Sequence, residues 1–191
     1  KIKKKKIACY CNSFETEPQQ GSHTTFTLQL TCDDPLFTDF IQTDVAVFRR
    51  EDMIKGTFTF PMIFTVRTSE ADILINGDCD VVPVFEIYNT AKDEASLSDR
   101  QGIEILNETT GQKIGIECTT TPGEVITVDI ENREITSNVQ GDLIGDITDD
   151  TYLDRFWLQK GHNHIKAVNY NAGENIDVVC RYYNRYLEAL T

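Results

Sequence analysis

Apolar and polar residues alternate with a period of two along most of the chain. Phe26, Leu28 and Leu30 alternate with Thr25, Thr27 and Gln29, which predicts strands over 6–12 and 24–31 joined through the turn-forming run Glu17-Pro18-Gln19-Gln20-Gly21-Ser22. Pro35 cannot donate to a ladder and holds Asp34 extended, so the sheet breaks there. Strands are predicted next over 45–49 and 57–66, the second marked by Pro61 as an edge or bulged strand. The composition changes near Thr68-Ser69-Glu70-Ala71. Ile73-Leu74-Ile75, the turn Asn76-Gly77-Asp78 and a strand over 81–88 follow. The acidic stretch 89–102 has no period and reads as an exposed loop. Short strands are then predicted over 103–106, 113–118, 124–130 and 133–138, with Glu131-Asn132 as the turn between the last two. Gly141 to Asp154 spaces its apolar residues too loosely for a helix.

The last part of the chain carries the densest pattern. Ile165 and Ala167 alternate with Lys166 and Val168, and Ile176, Val178 and Cys180 alternate with Asp177, Val179 and Arg181. With Asn171-Ala172-Gly173-Glu174 between them, and Gly173 free to take positive φ, this predicts a closing hairpin fed by a turn at Lys160-Gly161. Two strands alone are not stable in water, so the hairpin requires a facing sheet. Segment lengths and Gly, Pro and Asn punctuation together predict an all-β sandwich with almost no helix.

Composition narrows the function classes. The 191 residues include 40% hydrophobic ones, enough for a core, and no apolar run of eighteen residues, so a soluble protein is expected. The chain opens at Lys1 in mid-pattern and without Met, which reads as a piece of a longer product. Net charge is −13, and five of the eighteen basic side chains are Lys1, Lys3, Lys4, Lys5 and Lys6. A body this acidic repels phosphate backbones and argues against nucleic-acid binding as the main activity. The lysine run itself reads as a solvated edge that discourages stray strand pairing, with a basic arm for an acidic partner as the sharper reading.

Candidate chemistry is sparse. Cys9, Cys11, Cys32, Cys79, Cys118 and Cys180 are scattered singly through the expected strands, without a CxxC, so they read as buried free thiols in a reducing cytosol rather than a zinc site or disulfide framework. His162 and His164 share one side of an extended segment and could hold a metal with a carboxylate, although a polar turn with both rings in solvent is the plainer reading. The acids at Asp33-Asp34, Asp78 with Asp80, and Asp146 with Asp149-Asp150 do not fit a calcium loop. Asn107-Glu108-Thr109 matches a glycosylation sequon, read as chance. Trp157, Tyr88 and the terminal tyrosines are candidates for stacking on a sugar, but a single Trp in a sandwich is expected in the core. Neither a catalytic constellation nor a cofactor site is expected.

Three separated stretches resemble one family. The first is Ile7-Ala8-Cys9-Tyr10-Cys11-Asn12-Ser13-Phe14-Glu15, with Ser13 to Glu15 as a turn, continuing to Leu28-Gln29-Leu30-Thr31-Cys32-Asp33-Asp34-Pro35-Leu36-Phe37. The second is Ile75-Asn76-Gly77-Asp78, then Val82-Pro83-Val84-Phe85-Glu86-Ile87, then Asn107-Glu108-Thr109-Thr110-Gly111. The third is Phe156-Trp157-Leu158, Gly161, Asn163 and, at the end, Arg181-Tyr182, Arg185-Tyr186-Leu187. In this order they resemble the distal tail (Dit) proteins of phages, especially long-tailed phages and prophages of Gram-positive hosts. Asn184 stands where that family's phrase has Pro.

The resemblance implies a structural protein of the virion tail, assembled in the bacterial host cytoplasm and not an enzyme. Family members form a hexameric ring at the baseplate hub. The ring joins the tail tube to tail-tip, receptor-binding and other baseplate proteins, and DNA passes through as cargo. Residues 1–66 would be the C-terminal part of a truncated ring-forming domain. Residues 67–191 would be a galectin-like, jelly-roll-type β-sandwich whose last strand packs back on the first domain. Phe156 and Trp157 would plug the core, and Tyr183, Arg185 and Tyr186 would serve docking. A carbohydrate-binding module active in host-cell adsorption is the competing class, and exposure of Trp157 or Tyr88 beside a shallow groove is its signature. The galectin-type His-x-Asn-x-Arg set is not found, because His162-Asn163-His164 lacks the Arg. A cryptic hydrolase is the third class.

Overall fold

The structure, a computed structural model, describes residues 4–17, 24–52, 65–68, 70–90, 102–170 and 176–188. In chain order the first strands are β1 (Lys5–Lys6), β2 (Tyr10–Thr16), β3 (Phe26–Thr31), β4 (Phe37–Asp39), β5 (Thr43–Asp52) and β6 (Thr65–Thr68). Next come β7 (Glu70–Ile75), β8 (Val84–Asn89), β9 (Ile103–Asn107), β10 (Gln112–Ile116), β11 (Val125–Asp129) and β12 (Glu134–Ser137). The last are β13 (Gly141–Asp142), β14 (Gly161–Asn169), β15 (Ile176–Tyr182) and β16 (Arg185–Tyr186). Helix among the described residues is limited to two 3-10 turns, Ile144–Asp146 and Leu153–Arg155. The all-β expectation holds, and most strands fall within a few residues of where alternation places them.

Two sheets form the body. One has the order β10-β9-β14-β7, and the other β13-β12-β11-β8-β15-β5-β6. Their inner faces are the buried phase of each alternation: Ile73 and Ile75, Ile103 and Ile105, and Ile165 and Ala167 from the first; Phe85 and Ile87, Ile126 and Val128, and Ile176, Val178 and Cys180 from the second. β-branched side chains dominate this core because a pleated, half-buried surface suits them. The strand β5 adds to the larger sheet beside β15, with Val45 opposite Cys180, and β6 runs through the 66/67 position, so the ladder is continuous across it.

The closing hairpin is not formed. Both strands exist with the expected inward residues, but β14 pairs with β7 and β9 while β15 pairs with β8 and β5. They lie in opposite sheets of the sandwich. Period-two alternation says that one side of a strand is buried, and it is equally satisfied by a neighbour in the sheet or a strand across the sandwich. The expected turn at Asn171 to Glu174, the strand over 57–64 with Pro61, the loop over 91–101 and the Pro18–Ser22 part of the first turn lie outside the described residues.

Two other expectations are corrected. Cys9 and Cys32 form a disulfide, with Cα atoms 4.3 Å apart, next to the Tyr10–Thr31 pair of the β2–β3 ladder. Cys118 and Cys180 are buried thiols as expected, whereas Cys11 is exposed. Ser13-Phe14-Glu15 lies within β2 rather than in a turn. Lys5 and Lys6 form β1, which pairs with Asp39 and Thr38 of β4 and is the outer strand of that sheet, with Lys6 exposed, as an edge reading expects.

Candidate functional site

The residues expected to dock meet at a clasp formed by both ends of the chain. A three-stranded sheet, β1-β4-β16, brings Arg185 and Tyr186 against Thr38 and Phe37. The clasp closes because Gly77 has no side chain: a Cβ there would collide with the main chain of Arg185, whose nitrogen would lie 2.8 Å away. That close approach lets the N–H groups of Asp78 (2.7 Å) and Cys79 (3.3 Å) donate to the Arg185 carbonyl. The Leu187 N–H in turn donates to Asp78 Oδ2 at 3.3 Å. The Asn76-Gly77-Asp78 turn is therefore a receptor for the C-terminal strand.

Asn184, the departure from the resembled phrase, is buried at the centre. Its Nδ2 donates to Asp39 Oδ2 at 2.8 Å and its Oδ1 accepts from the Asn76 N–H at 3.0 Å. The Tyr186 hydroxyl donates to Asp39 Oδ1 at 3.1 Å, and burial, then Asp39, pushes its pKa up to about 12. Arg185 forms an ion pair with Asp34. Lys5 Nζ stands 3.8 Å from the centroid of the Tyr186 ring and Lys6 Nζ 4.2 Å from that of Tyr183, both within cation–π range. Tyr183, Arg185 and Tyr186 are thus joined to the N-terminal strands of their own chain.

Phe156 and Trp157 separate. Phe156 is buried and meets Phe85 edge to face, centroids 5.5 Å apart. Trp157 is 39% exposed, which corrects the expectation that it plugs the core. The physical reason is local. Phe156 and Leu158 both point inward, Leu158 bridges to Val81, and in an extended segment the residue between two inward ones points out. The Trp157 main chain is held on both sides: its N–H donates to Gln112 Oε1 at 3.1 Å and its carbonyl accepts from Asn107 Nδ2 at 3.1 Å.

Two buried asparagines escaped sequence reasoning. Asn107 and Asn163 are fully buried and sit in the inward phase of β9 and β14. Asn163 organises the turn before its own strand: its Oδ1 accepts the Gln159 N–H at 2.9 Å, and its Nδ2 donates to the carbonyls of Gln159 (2.8 Å) and Gly161 (3.2 Å). The one signal was an Asn in phase with Ile165 and Ala167, because a buried amide must be satisfied there. Asn107 is the sequon residue, and its burial and engaged amide close it to glycan attachment.

His162 is exposed and His164 half-buried, both in β14 and not in a turn. His164 Nδ1 lies 2.8 Å from Asp72 Oδ1, while Nε2 lies 3.5 Å from carboxylate oxygens of both Glu70 and Glu108. The Asp72 hydrogen bond raises its pKa above the ordinary histidine value, against a smaller opposing effect of burial, with the charges of Asp72, Glu108 and Glu70 adding to the rise. No group of three or more His, Cys, Asp or Glu able to hold a metal occurs among the described residues. The acids noted in the sequence serve turns: Asp34 Oδ1 accepts the Leu36 N–H at 3.1 Å and Asp80 Oδ1 the Lys160 N–H at 2.8 Å. Tyr88 is half-buried under Arg181, whose Nη2 donates to its hydroxyl at 3.4 Å.

A different surface carries unpaired apolar groups. The strands β2 and β3 form a two-stranded ribbon outside both sandwich sheets. Phe14 lies opposite Leu28, and Cys11 opposite Leu30, on the same face as Phe26. Phe14 is 61% exposed, Phe26 65%, Leu28 46% and Leu30 53%.

Comparison with known proteins places these features. Residues 76–186 match the family described as siphovirus-type tail component, C-terminal domain. No curated protein matches the chain in sequence. The crystal structure of SPP1 Dit, a paradigm of the hub adsorption apparatus in Gram-positive-infecting phages, is similar in fold, with a TM-score of 0.62 and 10% sequence identity. The similarity covers 96% of this chain and 61% of that one, so the chain spans less than two thirds of the length of its structural neighbour.

Proposed function

Because the chain belongs to the siphovirus-type tail component family, and is thereby a structural component of the phage tail, we propose that it acts as the tail-tip hub, a ring of six copies joining the tail tube to baseplate and host-recognition proteins. The observation that carries this reading is the β2–β3 ribbon. A two-stranded ribbon is marginal in water, and one with Phe14, Phe26, Leu28 and Leu30 all exposed on one face requires a cover. A second copy of this chain is the occupant proposed, each ribbon packing on its neighbour around the ring. Residues 1–66 contribute to that ring and 67–191 form the outward, galectin-like sandwich, with β5 as the strand the two parts share. DNA leaves through the open centre without sequence recognition, consistent with a net charge of −13. The clasp around Tyr183, Arg185 and Tyr186 fixes the angle between ring and sandwich, and baseplate partners dock on the outward sandwich.

The solution mass of the full-length protein, by light scattering, tests this. A hexamer is expected, and Phe14→Ser with Leu28→Ser should return monomers that keep the sandwich's thermal transition. A monomeric full-length protein, or a double variant with unchanged mass, would overturn the reading.

A second reading, glycan binding during host adsorption, is favoured by the exposure of Trp157. It is compatible with the hub role, since an outward sandwich can both scaffold and bind.

A further inference from the structure

The outer face of the smaller sheet carries a groove of about 460 Å³ at its β10 edge, closed by the segment around the second 3-10 turn. Its size suits one or two sugar rings. Leu106 and Gly111 form the apolar floor, and Gly111 (φ +74) leaves open space where a Cβ would stand. One wall is Tyr152, 53% exposed, with the Arg155 guanidinium 5.1 Å from its ring centroid.

The polar groups around this floor are held in place before any ligand arrives. Gln112 Oε1 accepts from the Thr110 hydroxyl (2.8 Å) and the Trp157 N–H (3.1 Å), which fixes the amide and leaves Nε2 without an acceptor among the described residues. Lys113 is paired with Asp150 and, at 3.4 Å, with Glu104. The Thr148 hydroxyl also donates to Asp150 at 2.7 Å, and Lys113 and then Thr148 hold that carboxyl below its usual range, so it stays an ionised acceptor. Arg155 makes no ion pair among the described residues and presents further donors.

A flat aromatic wall, a fixed amide donor, an ionised carboxylate acceptor and cationic donors around a small apolar floor match the alternating apolar faces and hydroxyl edges of a pyranose ring. We propose that this groove is a saccharide-binding subsite, the ring resting on Tyr152 and its hydroxyls shared between Gln112 and the Lys113–Asp150 pair. It rests on the glycan-binding reading above and moves that activity from Trp157 to the groove beside it. Arg155 adds a preference for sugars bearing a carboxylate.

Saturation-transfer NMR on the whole chain, with maltose, diacetylchitobiose and glucuronate as separate probes, tests the proposal. At least one should bind with a dissociation constant of about a millimolar, glucuronate more tightly than maltose. Tyr152→Ala and Gln112→Ala should each weaken binding at least about tenfold, and Trp157→Ala should leave it within about twofold. No transfer to any of the three sugars would overturn the subsite, as would binding lost in Trp157→Ala but kept in Tyr152→Ala. Light scattering on the full-length protein separates the two functions. Sugar binding by a full-length protein that is monomeric sinks the hub alone, whereas a hexamer that ignores all three sugars sinks the groove alone.

Discussion

Asn184 and Asp39 hold each other twice: the Asn184 side-chain amide donates to Asp39 Oδ2 at 2.8 Å, and the Asp39 main-chain N–H donates to the Asn184 carbonyl at 3.1 Å. With Asn76 donating to the other side of the same amide, one buried residue links three segments far apart in sequence. Asn184→Ala should lower unfolding free energy by about 1–3 kcal/mol, because it removes the partner of a half-buried carboxylate oxygen of Asp39 and of the Asn76 main-chain N–H. Asn184→Asp should cost more at neutral pH, where it faces Asp39, and recover on acidification. Urea denaturation at two pH values measures both. An Asn184→Ala chain as stable as the parent would mean that the clasp does not depend on this residue.

Gly77 and Arg185 form the other half of the clasp. Gly77→Ala places a methyl group against main-chain atoms that cannot move aside as a flexible side chain would. The expected loss is about 1–3 kcal/mol, together with faster proteolysis after Tyr182. Unchanged C-terminal protection would show that β16 does not need the close approach.

The neighbours Phe156 and Trp157 should behave oppositely. Phe156→Ala removes a fully packed ring and its edge contact with Phe85, for a cost of about 3–5 kcal/mol. Trp157→Ala leaves both main-chain hydrogen bonds intact and should cost less than about 1 kcal/mol. Equal losses in thermal unfolding would place Trp157 in the core after all.

His164 gives the chain a pH dependence of known sign. Its pKa is raised in the folded state by Asp72, helped by the charges of Glu108 and Glu70. Its stabilisation is therefore fully present below the ordinary histidine value of about 6.5 and is lost as pH rises through the higher folded value. The side chain is partly solvated, so the effect is small. The melting temperature of the parent should fall between about pH 6 and pH 8 more than that of His164→Gln. Parallel curves would remove His164 from the account.

Much of the fold was legible in single residues. The Val, Ile and Thr alternation marks β8, β9, β11 and β12 with their inward side chains, because the two-residue period of a strand is a local property. Gly77 was legible as a turn, but not as the floor on which Arg185 rests. The clasp left no local trace: Asn184 looked like a departure from a family phrase, and nothing near Lys5 and Lys6 tied them to particular rings. Their partners, Asp39, Tyr186 and Tyr183, lie more than thirty positions away or at the opposite end of the chain.

The sequence by itself determined the class of the molecule: an all-β chain, acidic, with three phrases in order that place it among phage tail components. It also determined which side of each sandwich strand is buried. Tertiary structure alone decided which strands share a sheet. It sent β14 and β15 to opposite sides of the core, turned Trp157 outward between Phe156 and Leu158, and joined Cys9 to Cys32. The reason is physical. Burial of one strand face is encoded every two residues along the chain, whereas the choice of hydrogen-bonding neighbour depends on how all the strands fill one core together.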